Sequence, residues 1–378
     1  MGTFLPSLMD AAKVNLDTIL TTRATVDPHL NLLPVTQEAL LLNQTANVTP
    51  IRGGAGEACV SLKVYYYQAD NTTIPTGSAT AIASDCELTT GNGVGTEGVD
   101  YDLNFFLKPS IKLNDKKCDQ LTVFAEDLAY GLANEMHLMC NSWNQNTIAE
   151  LEANKSVAYA GGVSGVDNVT LTGGEYTITG AEYWQGAKAA DTLATLDLLA
   201  DVNGLPSNYM IISGRSLKVS YDLAQTHSVN DNERSYALQF GQRKLYNDVD
   251  FLDATVGAEC IYLVDPAVIM AYFHSEYPSV VTPTDDENNT FKFSLELQYY
   301  DQHQQGGAGM RPLQFINDGR IENARIDVRY QKKCNSVTNK YGKPSTDHIW
   351  ELDLCAFFEI APSTDPQQTG IIRVNKAL

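Results

Sequence analysis

DQLTVFAEDLAYGLANEMHLMCNSWNQNTIAELEAN, residues 119–154, is the stretch whose reading decides the fold. Leu121, Phe124, Leu128, Leu132, Met136, Met139 and Trp143 recur at steps of three or four, the period of a helix with one buried face. Asp115 or Asp119 is a plausible N-cap, and Glu126 and Asp127 sit early, where the helix dipole favours negative charge. Unbroken, such a helix is on the order of 50 Å long at about 1.5 Å per residue, so something elongated must lie along it. Gly131 and the Asn141–Asn146 run are its weak points, and two shorter helices are the alternative.

The rest of the composition sets bounds. With 378 residues, 43% of them hydrophobic, the chain has ample material for a core. Its formal charge of −20, from 46 acidic and 26 basic residues, comes without a Lys/Arg cluster of the kind that grips DNA phosphates. A protein that encloses nucleic acid without adhering to it could well be acidic. The beginning, Met1-Gly2-Thr3-Phe4-Leu5-Pro6, lacks a secretory signal, and no stretch is long and apolar enough to span a membrane as a helix. The seven cysteines are scattered and never form a Cys-x-x-Cys pair, which predicts reduced, mostly buried thiols.

Before the long helix, residues 1–50 hold an amphipathic stretch from Leu5 to Leu20 and then Pro28, Pro34 and Pro50 among leucines, the pattern of an extended apolar arm. The arm either seeks a partner surface or packs back on its own domain. Cys59 to Gln68 alternates as a strand, the Thr/Ala/Gly/Asp-rich segment to Gly98 reads as an open tip, and Tyr101–Leu107 offers the returning strand of a projecting hairpin.

After the helix, Ala160 to Gly174 reads as loop, Tyr176–Thr179 as a short strand and Ala187 to Val202 as a helix stopped by Gly204. Tyr209–Ile212 and Cys260–Val264 read as buried strands. Arg215–Thr226 looks helical, and Asp265-Pro266 predicts a helix over Ala267–Phe273. Alternating strands and helices make this part an α/β unit. From Phe291 the period becomes two: Phe291, Phe293, Leu295, Leu297 and Tyr299 share a face, as do Ile326, Val328 and Tyr330, and Trp350, Leu352, Leu354, Ala356, Phe358 and Ile360. These are half-buried antiparallel strands across which the long helix can lie. Gly370–Val374 could add a last strand.

No catalytic constellation stands up. Gly53–Gly56 and Gly306–Gly309 lack the Lys-Ser/Thr of a phosphate loop. His137 and Cys140 share a helix face but fall short of a metal set, and Asp285-Asp286-Glu287 lacks the ligand spacing of a hard-cation site. No Gly-x-Ser-x-Gly elbow is present. The triplet Tyr65-Tyr66-Tyr67 reads either as an interaction surface or as ordinary strand tyrosines. The expectation is no enzyme, no catalytic, metal or cofactor-binding residue, and no cofactor.

The order of elements is itself a signal: apolar arm, projecting hairpin, long helix, α/β unit, antiparallel strands. It resembles the major capsid protein of tailed double-stranded DNA phages with the HK97-type fold. Tyr209-Met210-Ile211-Ile212-Ser213-Gly214, Tyr262-Leu263-Val264-Asp265-Pro266 and the run from Trp350-Glu351-Leu352 to Gly370-Ile371 are similar to phrases such proteins carry. The resemblance implies an α+β fold with an N-terminal arm (1–50), an E-loop with its flanks (51–108), a spine helix (109–159) on an antiparallel P-domain sheet, and an α/β A domain (mostly 160–290). Strands in 291–378 would mainly complete the P domain. It further implies a coat protein that self-assembles as hexamers and pentamers into an icosahedral shell around phage double-stranded DNA. Its partners would be many copies of itself, a portal, and separate scaffolding or decoration proteins, since the arm is short. Assembly would take place in the bacterial host cytoplasm and leave the protein in the virion capsid, with no membrane involved. Lys63 lies in the hairpin region, but no matching Asn or acidic catalyst for an isopeptide cross-link is carried over. An encapsulin-type nanocompartment shell is the alternative within the fold, and a soluble enzyme or carbohydrate-binding module the alternative outside it.

Overall fold

The computed structural model describes residues 7–9, 11–12, 40–44, 47–51, 61–67, 96–114, 121–157, 168–181, 183, 189–213, 217, 237–240, 243–247, 260–279, 282–285, 290–301, 309–317, 319–338, 344–361 and 369–377. Residues 7–9, 11–12 and 40–41 are helical, and after them come β1 (Asn47–Ile51), β2 (Ser61–Tyr67), β3 (Thr96–Asp102), β4 (Phe105–Leu107) and β5 (Ser110–Asn114), then the helix α1 (Leu121–Ala153). Next come β6 (Val169–Thr172), β7 (Glu175–Thr179), the helix α2 (Ala189–Val202), β8 (Met210–Ser213), β9 (Ala237–Phe240), β10 (Arg243–Asn247) and β11 (Cys260–Val264). The remainder is β12 (Ile269–His274), β13 (Thr282–Asp285), β14 (Thr290–Glu296), β15 (Gln298–Asp301), β16 (Gly309–Pro312), β17 (Gln314–Asn317), β18 (Arg320–Asn323), β19 (Arg325–Thr338), β20 (Pro344–Ile360) and β21 (Ile371–Ala377). Helix and sheet are mixed, as the α+β expectation has it.

α1 is one helix of 33 residues. The expected face is the buried one: Phe124, Leu128, Leu132, Met136, Met139 and Trp143 are all at most 4% exposed, joined by Ala125, Ala129 and Ala133. The asparagine run does not break it, because these side chains bond along the helix instead of competing with it: Asn141 Nδ2 meets His137 Nε2 at 3.1 Å, and Thr147 Oγ1 donates to the Asn144 carbonyl at 2.8 Å. Since α1 begins at Leu121, its first turn holds no acid. Glu126 and Asp127 therefore lie beyond the reach of the dipole, contrary to expectation. Asp115 and Asp119 fall outside the described residues.

The layer beneath α1 is the sheet β12-β20-β19-β14-β13, with β4 and β5 also paired to β20. β20 runs through the middle: β19 and β5 flank its first half, β12 and β4 its second. Its even-numbered residues from Trp350 to Ile360 face the core as the alternation requires. Aromatic rings tie helix to sheet at both ends. Phe124 lies 4.9 Å from His348 and 5.8 Å from Trp350, and Trp143 lies 5.0, 4.9 and 5.9 Å from Phe105, Phe273 and Phe358. Of the predicted 291–299 face, Phe293, Leu295 and Leu297 are buried and Phe291 half-buried, but β14 stops at Glu296.

A second sheet has the order β6-β7-β21-β11-β8-β10-β9 and works for two cores at once. Cys260, Tyr262 and Val264 of β11 join the core of α1, while Ile261 and Leu263 join a separate core with Leu196 and Leu199 of α2. The period of two delivers alternate residues to opposite faces, so every residue of β11 is buried. β21 lies in this sheet, between β7 and β11, and not beside the strands it follows in sequence. At its start Gly370 has φ +78 and stands so near Val268 that an added Cβ would lie 2.7 Å from Cγ1.

Several expectations are corrected. Ala267–Phe273 is not a helix: Asp265 caps only a 3-10 turn, Pro266–Val268, and β12 follows, because Ile269, Tyr272 and Phe273 suit a pleated surface and pair with β20. Ala160–Gly174 is not all loop, since β6 forms a hairpin with β7 through Gly173 and Gly174, both at positive φ. Tyr101–Leu107 is not one strand: it takes in the end of β3 and all of β4, parted at Leu103 and Asn104, and the end of the expected arm is itself a strand, β1. Leu8, Met9, Ala12, Leu40 and Leu41 are buried in this chain's own main core, so these parts of the N-terminal stretch pack back on their own chain. The hairpin tip over 68–95, the glycines 53–56 and 306–308, residues 286–287, and Arg215–Thr226 apart from Leu217 lie outside the described residues. So do the side chains of Lys63 and Tyr65–Tyr67.

Gly131 is a close-approach position. A Cβ there would lie 2.9 Å from Ile111 Cγ2 on β5, beneath the helix. Alanine should gain about 1 kcal/mol in helix propensity and lose about 1–3 kcal/mol to overpacking. Chemical denaturation of Gly131→Ala is accordingly expected to show a net loss of roughly 1 kcal/mol, and a gain would contradict the tight helix–sheet contact.

Candidate functional site

The last turn of α1 brings a balanced set of charges to the second sheet. Glu152 Oε1 accepts from Lys155 Nζ and from Arg373 Nη1, each at 2.5 Å, while its Oε2 accepts from the Tyr262 hydroxyl. Glu175 Oε1 accepts from the same Lys155 at 2.5 Å, and Glu175 Oε2 from Asn375 Nδ2 at 2.7 Å. Arg373 Nε donates to Asn375 Oδ1 at 2.9 Å and stands 3.7 Å from Glu175 Oε2. Just beyond, Ser156 N donates to the Ile371 carbonyl at 2.7 Å, and Ser156 Oγ lies 2.6 Å from Thr369 Oγ1. α1, β7, β11 and β21 are thereby joined by polar groups at the border of the main apolar core.

The protonation states fit a joint and not a reactive centre. Burial works to raise the Glu175 carboxyl, but hydrogen bonds from Lys155 and Asn375 and the charge of Arg373 outweigh it and hold the group below the usual carboxylate value. Burial likewise opposes the Lys155 charge, and the bonds to Glu152 and Glu175 overcome it, so that its pKa is raised. Burial pushes the Tyr262 phenol up, helped by Cys260 and by its bond to Glu152. The thiols of Cys260 and Cys140 are pushed up by burial to about 11 and about 12, so both stay protonated and unreactive at neutral pH. His137, expected beside Cys140, faces Asn141. Among the described residues no three His, Cys, Asp or Glu side chains group as a metal site, and no helix is long and apolar enough to cross a membrane.

The main layer has two unlike faces. α1 carries Glu126, Asp127, Glu135, Glu150 and Glu152, α2 carries Asp191, Asp197 and Asp201, and neither helix contains Lys or Arg. On the outer side of α1 Tyr130 and Leu138 are 46% and 49% exposed. The sheet face opposite α1 is instead built of charge pairs: Lys108 with Asp353 at 3.0 Å, Lys112 with Asp347 at 2.9 Å, and Arg329 Nε with Glu351 at 2.7 Å. An open groove of about 480 Å³ runs between Lys108, Tyr277, Asp327, Arg329 and Glu351. Asp327 is occupied in holding the turn after β12, accepting from Ser275 Oγ and the amides of Glu276 and Tyr277 at 2.6, 2.8 and 3.2 Å. Among the described residues of the groove, Lys108, Asp327, Arg329 and Glu351 are thus already engaged with other groups of the chain.

β1, β2 and β3 form a sheet of their own that pairs with neither large sheet. β2 and β3 run antiparallel from Ser61↔Asp102 to Tyr67↔Thr96, so the ribbon rises from the segment that goes on into β4 and β5. Sequence reasoning found β2, put the returning strand at 101–107 where the structure has 96–102, took β1 for part of the apolar arm, and missed the joint, because Glu152, Glu175 and Arg373 are far apart in the chain and each looks like a surface charge.

No known protein family and no curated protein matches this sequence. Among solved structures the chain is similar to one from Mycobacterium phage Che8, with 12% identity, 89% of this chain and 90% of the other covered, and a TM-score of 0.39. It is similar also to the mature capsid of bacteriophage PhiM1 (10% identity, 89% and 84% covered, TM-score 0.35). A third is the holo-SrpI encapsulin complex from Synechococcus elongatus PCC 7942 (10% identity, 91% and 88% covered, TM-score 0.38). Likenesses of this strength leave the functional reading to the chain's own elements.

The joint gives a prediction with a definite sign. A carboxyl whose folded value is depressed stabilises above its unfolded value and loses that contribution as pH falls through the folded one. For Glu175 the loss therefore begins below about pH 4.5, its ordinary value. Melting temperatures taken from pH 6 down to pH 3 should fall less steeply for Glu175→Gln than for the native chain, and parallel curves would contradict the joint. Arg373→Gln should cost ~2 kcal/mol at neutral pH, between an exposed and a fully buried pair.

Proposed function

We propose that this chain is the shell subunit of a tailed phage, a major capsid protein of HK97 type that assembles as hexamers and pentamers around double-stranded DNA. The observation that carries the reading is the β1-β2-β3 ribbon, which pairs with neither large sheet of its own chain. Its base rests on the chain's own core through Leu62 and Tyr101, and beyond that base a ribbon of this kind is marginal alone and gains stability by resting on another surface, so its ordering couples to assembly.

The order of parts supports the same reading. The N-terminal arm would be residues 1–50, although its described portions lie in the chain's own core. The E-loop would be 51–108 and the spine helix 109–159, lying on the P-domain sheet that 291–378 mainly completes. The A domain would be mostly 160–290, and the sheet order adds β21 to it while giving β12 to the P domain. The acid-only helices suit a wall that repels packaged DNA and lets it slide. A portal and scaffolding or decoration proteins would be partners, assembly would occur in the host cytoplasm, and the chain would have no catalytic role.

Removing residues 71–93 in favour of a two-residue Asn-Gly turn tests this. Loop shortening of this kind costs the isolated fold little. Sedimentation velocity should show large particles from the complete chain and only monomers or small rings from the shortened one, with the melting transition of the chain retained. Equal particles from both would contradict the role given to the ribbon.

A further inference from the structure

The ribbon has two roots, one just before β1 and one just after β3, and both are held by a side-chain amide that imitates a peptide group. At the first root, Gln44 Oε1 accepts from the Ala271 amide at 2.8 Å, and Gln44 Nε2 donates to the Ala271 carbonyl at 3.2 Å and to the Ile316 carbonyl. At the second, Asn104 Oδ1 accepts from the Phe358 amide at 3.1 Å, and Asn104 Nδ2 donates to the Phe358 carbonyl at 2.9 Å. Ala271 of β12 and Phe358 of β20 are direct partners in the antiparallel register.

In such a ladder the N–H and C=O of one residue point to the same side of its strand. The peptide groups of Ala271 and Phe358 therefore face away from each other, and one carboxamide meets each from outside. Gln44, Ala271, Phe358 and Asn104 form a single row across the main sheet, with a root of the ribbon at either end. Further out, Leu62 is buried in the main core and the Tyr101 ring lies 5.4 Å from that of Phe357, apolar contacts that fix no direction, while among the described residues β1 and β3 pair only with β2.

We propose that Gln44 and Asn104 are positioning residues that set the angle at which the ribbon leaves the main sheet. A paired amide fixes both direction and register, because two antiparallel bonds constrain rotation where one would not. The two ends are unequal. Gln44 is 2% exposed, so losing its amide leaves the peptide group of Ala271 buried and unpaired, whereas Asn104 is exposed and water can replace its bonds. Gln44 is the stronger of the two. This inference rests on the shell reading only in what the angle is for: a neighbouring subunit meets the ribbon at a fixed place only if the angle is fixed.

The test measures the angle in the complete unassembled chain. Tyr65 in the ribbon and Tyr130 on the outer side of α1 are each replaced by p-acetylphenylalanine and spin-labelled, which leaves the native cysteines alone. Pulsed electron–electron resonance then reads the distance distribution between them. Gln44→Met together with Asn104→Leu should broaden the distribution at least twofold, with Gln44→Met giving most of the effect and Asn104→Leu, at an exposed position where water can take over the lost bonds, a smaller broadening. An unchanged width in the double variant and in Asn104→Leu would overturn the proposal. Where the unsubstituted chain forms shells, the double variant should form at least tenfold fewer, and an equal yield would overturn the role in assembly. A native chain that never assembles would sink the shell reading instead, and the distances would still judge the row.

Discussion

The contact on which the rest depends is that of α1 with β20. A helix of 33 residues and a strand of 17 are each too long and too apolar on one face to be left alone, and each covers the other. Trp143 sits where three aromatic side chains from β4, β12 and β20 converge, and truncating a residue so placed typically costs about 3–5 kcal/mol. Because β20 is paired on both sides over 347–351 and 355–356 and on one side elsewhere, α1 fixes the positions of β4, β5, β12 and β19 through it. Gly131 sets how near the helix comes.

A second consequence follows at the far end of α1. The second sheet offers one face to α1 and the other to α2, so it is a shared wall between two cores and not a separate body resting on the first. Apolar contact is non-directional and would tolerate sliding. The Glu152, Lys155, Glu175 and Arg373 set adds direction, and a set of two acids and two bases leaves no net charge at the border. Polar groups thus supply register where burial supplies strength, as Gln44 and Asn104 do at the ribbon.

Much of this was legible in the sequence where a period is carried by large side chains. The α1 face and the alternation of β20 could be read because Leu, Met, Trp and Phe recur at 3.6 or 2 over many residues, and β11 because its five residues form an unbroken apolar run. β12 looks helical from sequence because Asp265-Pro266 is a good helix start in isolation, and pairing with β20 decides otherwise; Ile269, Tyr272 and Phe273 are the residues that weigh against a helix. The joint and the carboxamide row carry no sequence signal at all. Gln44 and Asn104 bond to backbone atoms 227 and 254 residues away, and a backbone partner leaves no trace in residue identity. Nor does the sequence tell that Leu8, Met9 and Leu40 return to their own core, since an apolar arm suits either surface.

In the proposed function the ribbon and the two-faced wall belong to a closed shell. The most direct measurement is cryo-electron microscopy of the fast-sedimenting fraction of the complete chain, expressed alone and together with candidate scaffold and portal proteins. The account predicts closed particles, or rings of five and six, in which the ribbon of one subunit lies over the next. A chain that stays monomeric in both preparations would contradict it.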